Sequence, residues 1–307
     1  MSVPGANSNH HGTAHFTQSS NVLMLLIRQM RPKQWTKNLL VFAALIFSYQ
    51  MINIENVGKS IAGFFLFSFV ASCVYILNDF VDREADQKHP VKRYRPMASG
   101  ALNPYVALGT GAVLLIGSLA ASYVLNPLLP VLLLFYFVLN VCYSFKLKHV
   151  VIIDIMIIAA GFVLRAIAGG LVIEVPFTPW FLICTMLLSL FLAISKRRHE
   201  LVLLEANKGT HRKVLESYSP ALLDQLNSIV TTATIISYSL FTFTSRSNTY
   251  LMWTIPLVIY GIFRYLYLIH MEDKGGSPEK VLFEDKHILI TVILYVISVV
   301  VILGYFE

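Results

Sequence analysis

The chain has 307 residues, 56% of them hydrophobic and only 13% charged, with a mean hydropathy of +0.66. Soluble domains carry about 25% charged residues, so soluble, disordered and fibrous classes are set aside in favour of one polytopic membrane domain. The formal net charge of +7 would raise nucleic acid as a partner, unless membrane topology accounts for it. The three cysteines, Cys73, Cys142 and Cys184, lie in apolar stretches without paired spacing. Neither a disulfide framework nor a zinc site is expected from them.

Residues 1–20 are polar, with His10, His11 and His15 among Ser, Asn and Gly. No apolar core follows a basic start, so no cleaved signal is expected. Residues 1–23 read as a disordered cytoplasmic tail and 24–307 as a single transmembrane domain.

A spanning helix needs about 20 mostly apolar residues. Nine stretches qualify: about 35–53, 60–79, 104–124, 127–145, 150–172, 177–195, 228–246, 250–270 and 287–306. Of the 24 Lys and Arg, 20 fall in the N-terminal segment and in alternate connections, 80–103, 146–149, 196–227 and 271–286. Lys59 and Arg246 are on the opposite side. This bias places the N-terminus and the long loops in the cytoplasm. With nine crossings, the C-terminus lies outside. The positive charge is thus topological, and no nucleic-acid partner is expected.

The second stretch runs into Asn78-Asp79-x-x-Asp82-x-x-x-Asp86. Aspartates at i, i+3 and i+7 share one face of a helix. Carboxylates gathered at a membrane surface repel unless a cation neutralises them, and an all-oxygen set suits Mg²⁺. Mg²⁺ prefers one or two carboxylates plus substrate phosphates. Lys88, His89, Lys92, Arg93 and Arg95 follow at once. Carboxylates beside a basic run are what a metal-bound diphosphate requires. The alternative is a solvated helix end whose bases serve only topology.

Tyr143, Lys146, Lys148, Asp154 and Arg165 form a second group. Asp154 and Arg165, eleven residues apart, share a face of one apolar span. Intramembrane charges usually face a wet cavity or the bundle interior. Arg165 therefore reads either as a structural cation or as an anion ligand. Lys196-Arg197-Arg198-His199-Glu200 follows the sixth stretch, and His211-Arg212-Lys213 lies beyond it. Such a cluster attracts lipid headgroups by default, yet its mixed signs suit ribose or phosphate. Gly169-Gly170 is expected to permit close helix packing. No Walker, Rossmann or triad signature is present.

These residues resemble the UbiA superfamily of intramembrane prenyltransferases, whose first aspartate motif matches Asn78–Asp86. Members usually carry a second aspartate-rich motif after the sixth span. Here Lys196–Glu200 stands in its place, which weighs against a prenyl-diphosphate donor. Arg31-Pro-Lys-Gln-Trp35-Thr-Lys37-Asn38, His89-Pro-Val-Lys92-Arg93-Tyr-Arg95-Pro96 and Tyr143-Ser-Phe-Lys146-Leu-Lys148 resemble one branch of the superfamily. Asp154, Gly161–Gly170, Lys196–Glu200, His211-Arg212 and Gly275-Gly-Ser-Pro-Glu279 complete that resemblance.

The resemblance implies an all-α UbiA-type bundle of nine transmembrane helices with a cytoplasm-facing cavity, in the inner (plasma) membrane. It implies transfer of 5-phosphoribose from phosphoribosyl diphosphate to a polyprenyl phosphate of decaprenyl type, with release of pyrophosphate. The product would be a precursor for arabinose donors of cell-wall or glycolipid synthesis. Asp79, Asp82 and Asp86 would hold Mg²⁺ and, with Tyr143, Lys146 and Asp154, form the catalytic group. Lys37, Asn78, Lys88, Lys92, Arg93, Arg95, Lys148, Arg165, Lys196, Arg197, Glu200, His211 and Arg212 would bind substrate. A homo-oligomer is allowed. The alternatives are a prenyltransferase with a polyprenyl-diphosphate donor and an aromatic acceptor, and a non-enzymatic transporter, whose internal repeats are not evident.

Overall fold

The computed structural model describes residues 21–48, 50, 53–176, 178–205, 213–244, 249–272, 276 and 278–306. The expected tail, apart from its last three residues, lies outside them, as do His211 and Arg212. All described regular elements are helical. Asn21 caps α1 (Val22–Met30) by accepting the Leu23 amide at 3.1 Å. A 3₁₀ segment, Pro32–Phe42, leads into α2 (Ala43–Phe47). Next come α3 (Ile54–Val81), α4 (Arg83–Lys88), α5 (Pro104–Leu125) and α6 (Leu129–Phe145). The chain continues through α7 (Ile153–Ile173), α8 (Pro179–Glu205) and α9 (Pro220–Thr244). It ends with α10 (Ile255–Met271), α11 (Pro278–Glu284) and α12 (Lys286–Phe306).

Among the described residues, seven helices are long and apolar enough to cross a membrane. They include α3, α5, α7, α8, α9 and α12, with Tyr250–Met271 as the seventh. Two of the nine expected crossings differ. The fourth is the 17-residue α6, which is short for a span. The first, 35–53, runs as 3₁₀ helix to Phe42 and, among the described residues, is α-helical only over Ala43–Phe47. Asparagine caps set several boundaries: Asn53 accepts the Glu55 amide at 3.0 Å, and Asn103 accepts that of Tyr105 at 2.9 Å.

A 3₁₀ run of 11 residues is long for this geometry. Tertiary bonds hold it against α3. Trp35 Nε1 donates to Ser72 Oγ at 3.1 Å, and Asn38 Nδ2 to Ser68 Oγ at 2.9 Å. On the other side it lies directly on α7. A Cβ at Gly169 would stand 2.1 Å from the Val41 carbonyl oxygen, so only glycine admits this approach. The expected close packing at Gly169 is therefore present, and its partner is the 3₁₀ backbone.

Apolar side chains of α7 to α12 form one core, with Phe191, Ile194, Leu223 and Leu268 at its centre. A second core joins the 3₁₀ segment, α2, α3, α6 and α7 through Val41, Phe67, Val70 and Leu133. Alternation of the spans brings the ends of α3, α6, α8 and α10 to one end of the bundle. The starts of α5, α7, α9 and α12 meet them there.

Candidate active site

Two polar clusters occupy that end. The first is built on the end of α3. Asp79 is only 3% exposed, yet its carboxylate meets three donors. Gln29 Nε2 donates to Oδ2 at 2.6 Å, Arg95 Nη1 donates to Oδ1 at 2.9 Å, and Arg31 Nη2 also bonds Oδ1. Asp86, equally buried, accepts the same Arg95 Nη1 at 2.5 Å, with Lys92 Nζ at 3.8 Å. One guanidinium nitrogen thus bridges two carboxylates. Arg31 reaches this position from a left-handed residue (φ 55°) that ends α1, and its guanidinium also lies 5.1 Å from the Tyr75 ring centroid.

The three aspartates do not lie on one unbroken helix. The α-helix ends at Val81, Asp82 forms the joint, and α4 begins at Arg83. Asp82 is half-buried, and its side chain makes no capping bond to α4. Among the described residues no three His, Cys, Asp or Glu side chains converge as a protein-only metal cage. The donor chemistry nonetheless fits Mg²⁺. Two buried carboxylates already share one cation, and Mg²⁺ takes one or two carboxylates together with substrate phosphates.

The second cluster joins α6, α7 and α8. Asp154 is fully buried at the start of α7 and Arg197 is 2% exposed. Arg197 Nε donates to Asp154 Oδ2 at 2.7 Å and Nη1 to Glu200 Oε2 at 2.7 Å. Its Nη2 donates to Tyr143 Oη at 3.4 Å. The Tyr218 hydroxyl donates to Asp154 Oδ1 at 2.7 Å. Burial pushes the Tyr218 phenol up to about 12, so it remains a donor at neutral pH. A buried cation with two carboxylate partners is electrostatically settled. The members left accessible are Tyr143, half-buried, and Glu200, with 30% of its side chain exposed.

The remaining expected site residues divide between surface and interior. Lys88, Lys92, Arg93 and Lys146 are exposed, whereas Lys37, Asn78, Lys148 and Lys196 are half-buried. Arg93 turns onto its neighbour, donating to Tyr94 Oη at 2.6 Å. Arg198 pairs with Asp224 at 2.5 Å, away from Asp154. Arg165 lies inside the bundle. Its Nε donates to Asn38 Oδ1 at 2.7 Å, Nη1 to the Gly161 carbonyl at 2.6 Å, and Nη2 to Tyr136 Oη at 2.8 Å. Phe67, Tyr136 and Phe162 surround its guanidinium, with ring centroids 5.0–5.2 Å away. Each of the three nitrogens is engaged, and the residue ties α7 to α6 and the 3₁₀ segment.

Gln29, Arg31 and Tyr218 were not among the site residues expected from sequence. Arg31 was within the first matching string, where its place before Pro32 was a signal. Gln29 gave none beyond its position in α1. Tyr218 sits in a short polar loop that had no assigned chemistry.

An apolar cavity of about 510 Å³ lies among α8, α9, α10 and α12. Leu188, Phe191 and Leu192 of α8 line it, with Phe241 of α9, Ile262 of α10 and Val292 of α12. Leu40 of the 3₁₀ segment closes one wall.

Comparisons with known proteins bear on the family and the fold. The chain is 31% identical over 285 residues to the decaprenyl-phosphate phosphoribosyltransferase of Mycobacterium tuberculosis, covering 91% of this chain and 94% of that one. It is 35% identical over 286 residues to the protein of that name from Mycolicibacterium smegmatis, covering 87% and 88%. The fold is similar to a UbiA homologue from Archaeoglobus fulgidus solved with DMAPP and Mg²⁺, at a TM-score of 0.69 and 17% identity, covering 91% of this chain and 99% of that one. The same homologue bound to GPP and Mg²⁺ aligns at a TM-score of 0.68 and 18% identity, over 90% and 99%. The UbiA prenyltransferase family matches residues 39–290, from the 3₁₀ segment that packs on Gly169 to the start of α12, and the chain belongs to that family.

Proposed function

We propose that the protein transfers 5-phosphoribose from phosphoribosyl diphosphate to a polyprenyl phosphate of decaprenyl type. The observation that carries this reading is the presence of two unlike polar clusters in one bundle that also encloses an apolar cavity among α8, α9, α10 and α12. One presents two buried carboxylates already bridged by a cation. In the other, a buried guanidinium stands where a second carboxylate cluster would serve a prenyl diphosphate. Relatives named decaprenyl-phosphate phosphoribosyltransferase over most of both chains support the same substrates.

The lipid phosphate oxygen attacks C1 of the donor's ribose. The C1–oxygen bond to pyrophosphate breaks, and pyrophosphate leaves with the bonding pair. The nucleophile is already ionised near neutral pH, so no general base is needed. Asp79, Asp82 and Asp86 would hold Mg²⁺, which would supply charge neutralisation for the departing pyrophosphate. Lys88, Lys92, Arg93 and Arg95 add positive charge around it, beside Asn78 and Lys37. Tyr143, Lys146, Asp154 and Arg165 lie around the lipid phosphate or the ribose, and Lys148 belongs to the substrate-binding group. Lys196, Arg197 and Glu200 serve the 5-phosphate, and His211 and Arg212 belong to the substrate-binding group. The lipid tail enters the apolar cavity.

The topology belongs to the same reading: nine crossings of the inner membrane, N-terminus and site in the cytoplasm, C-terminus outside. The 3₁₀ segment rises by about 2.0 Å per residue. Over Pro32–Phe42, with α2 added, it approaches the bilayer core thickness of about 30 Å.

The test is a donor comparison on purified protein with Mg²⁺. Labelled phosphoribosyl diphosphate with polyprenyl phosphate is expected to label the lipid fraction, and EDTA to abolish it. Transfer only from a polyprenyl diphosphate to an aromatic acceptor would overturn the assignment of substrates.

A further inference from the structure

Ile152 is the residue whose conformation most needs an explanation. It has φ 69° and ψ −45°, and the Ile153 amide bonds the Val151 carbonyl across it at 2.8 Å. This is a γ-turn of positive φ, a rare and strained form, at a β-branched residue for which positive φ is an outlier. Its side chain does not pin it, being half exposed. Its amide does: the Ile152 N–H donates to the Tyr218 hydroxyl at 2.7 Å. That hydroxyl in turn donates to Asp154 two residues further on. Strain of this kind persists where surrounding bonds over-determine it, and it clusters at working sites.

We propose that Tyr218 is a positioning residue for the donor's ribose 5-phosphate, acting through a buried relay. The relay runs from the Ile152 amide through Tyr218 and Asp154 to Arg197, and ends at the accessible groups Tyr143 and Glu200. Each step is a direct bond, and its interior members are buried. Tyr218 lies just before α9, so the relay also ties the entry to α9 to the start of α7. The inference rests on the phosphoribosyl reading for its substrate, but not for its mechanics.

The test uses the full chain purified in detergent, as wild type, Tyr218→Phe, Asp154→Asn and the double variant. Tyr218→Phe is expected to raise the KM for phosphoribosyl diphosphate about tenfold, with the KM for polyprenyl phosphate unchanged. The double variant is expected to be no worse than Asp154→Asn, because both break one relay. Hydrogen exchange at Ile152 should quicken in Tyr218→Phe while exchange in α3 and α5 stays as in wild type. Independent, multiplying effects of the two substitutions, or an unchanged donor KM, would overturn the proposal. If wild type transfers no phosphoribose, the substrate reading fails, and exchange at Ile152 alone decides the relay: unchanged protection in Tyr218→Phe would refute it. Should Tyr218→Phe not yield monodisperse protein, Asp154→Asn must show the same donor KM rise and faster Ile152 exchange, and their absence is equally fatal.

Discussion

Arg95 gives a single guanidinium nitrogen to two buried carboxylates, Asp79 at 2.9 Å and Asp86 at 2.5 Å. The arginine keeps two like charges together where water is scarce. Mg²⁺ bound to the same carboxylates would take over that role and free the guanidinium for the donor's phosphates. Arg95→Gln should therefore destabilise the protein by about 3 kcal/mol in EDTA, the usual cost of stripping one partner from a buried pair. Saturating Mg²⁺ should recover much of that loss. Melting curves of wild type and variant with and without Mg²⁺ check this, and a deficit unaffected by the metal would separate Arg95 from the cation site.

Asp79→Asn and Asp82→Asn should both lower phosphoribosyl transfer by at least about 100-fold, in the range for loss of a charge-stabilising group. They should differ in stability. Asp79 bonds Gln29, Arg31 and Arg95, so its variant should melt earlier. Asp82, with no capping bond, should melt like wild type. Near-normal turnover in both variants would remove the aspartates from the metal role.

Arg165 is enclosed by Asn38, the Gly161 carbonyl, Tyr136 and three aromatic rings. Arg165→Ala should cost about 3 kcal/mol of stability, since it orphans buried acceptors and opens a void. Thermal melts in detergent, read beside KM for both substrates, decide between structural and substrate roles. A raised KM with an unchanged melting temperature would show that Arg165 meets substrate directly.

Asp285 caps α12 through the Ile288 amide at 2.9 Å and pairs with Arg264 at 2.7 Å. The Arg264 guanidinium holds its carboxyl below the usual carboxylate range. The folded value lies below the unfolded one, so the pair stabilises above about pH 4 and loses that contribution as pH falls through the folded value. Asp285→Asn keeps a capping oxygen but loses the charge. Its melting temperature should fall below wild type at pH 7 by the equivalent of about 0.5 kcal/mol. The gap should close as the pH drops below about 4, and a gap constant with pH would count against the pairing.

Much of the architecture was legible in the chain alone. Mean hydropathy and the spacing of charged loops delimit the apolar spans, because membrane insertion depends on local composition. The Asp79–Asp86 spacing marked one polar cluster and Lys196–Glu200 part of the other, since runs of charge at the end of an apolar stretch are local features. The first stretch departs from a regular α-helix: its apolar residues suit a span, but Trp35 and Asn38 bond Ser72 and Ser68 of α3, and it is 3₁₀ up to Phe42.

What only the tertiary structure decided is which charges face one another. Arg165 finds Asn38 across 127 positions, Arg31 finds Asp79 across 48, and Tyr218 finds Asp154 across 64. Their bonds are made between helices, where packing and desolvation select the partner, and no local pattern encodes that choice. The sequence by itself determined a helical membrane bundle with its aspartate motif. Packing between helices decided that two of those aspartates share an arginine, and that Tyr218 joins the second cluster through a strained turn at Ile152.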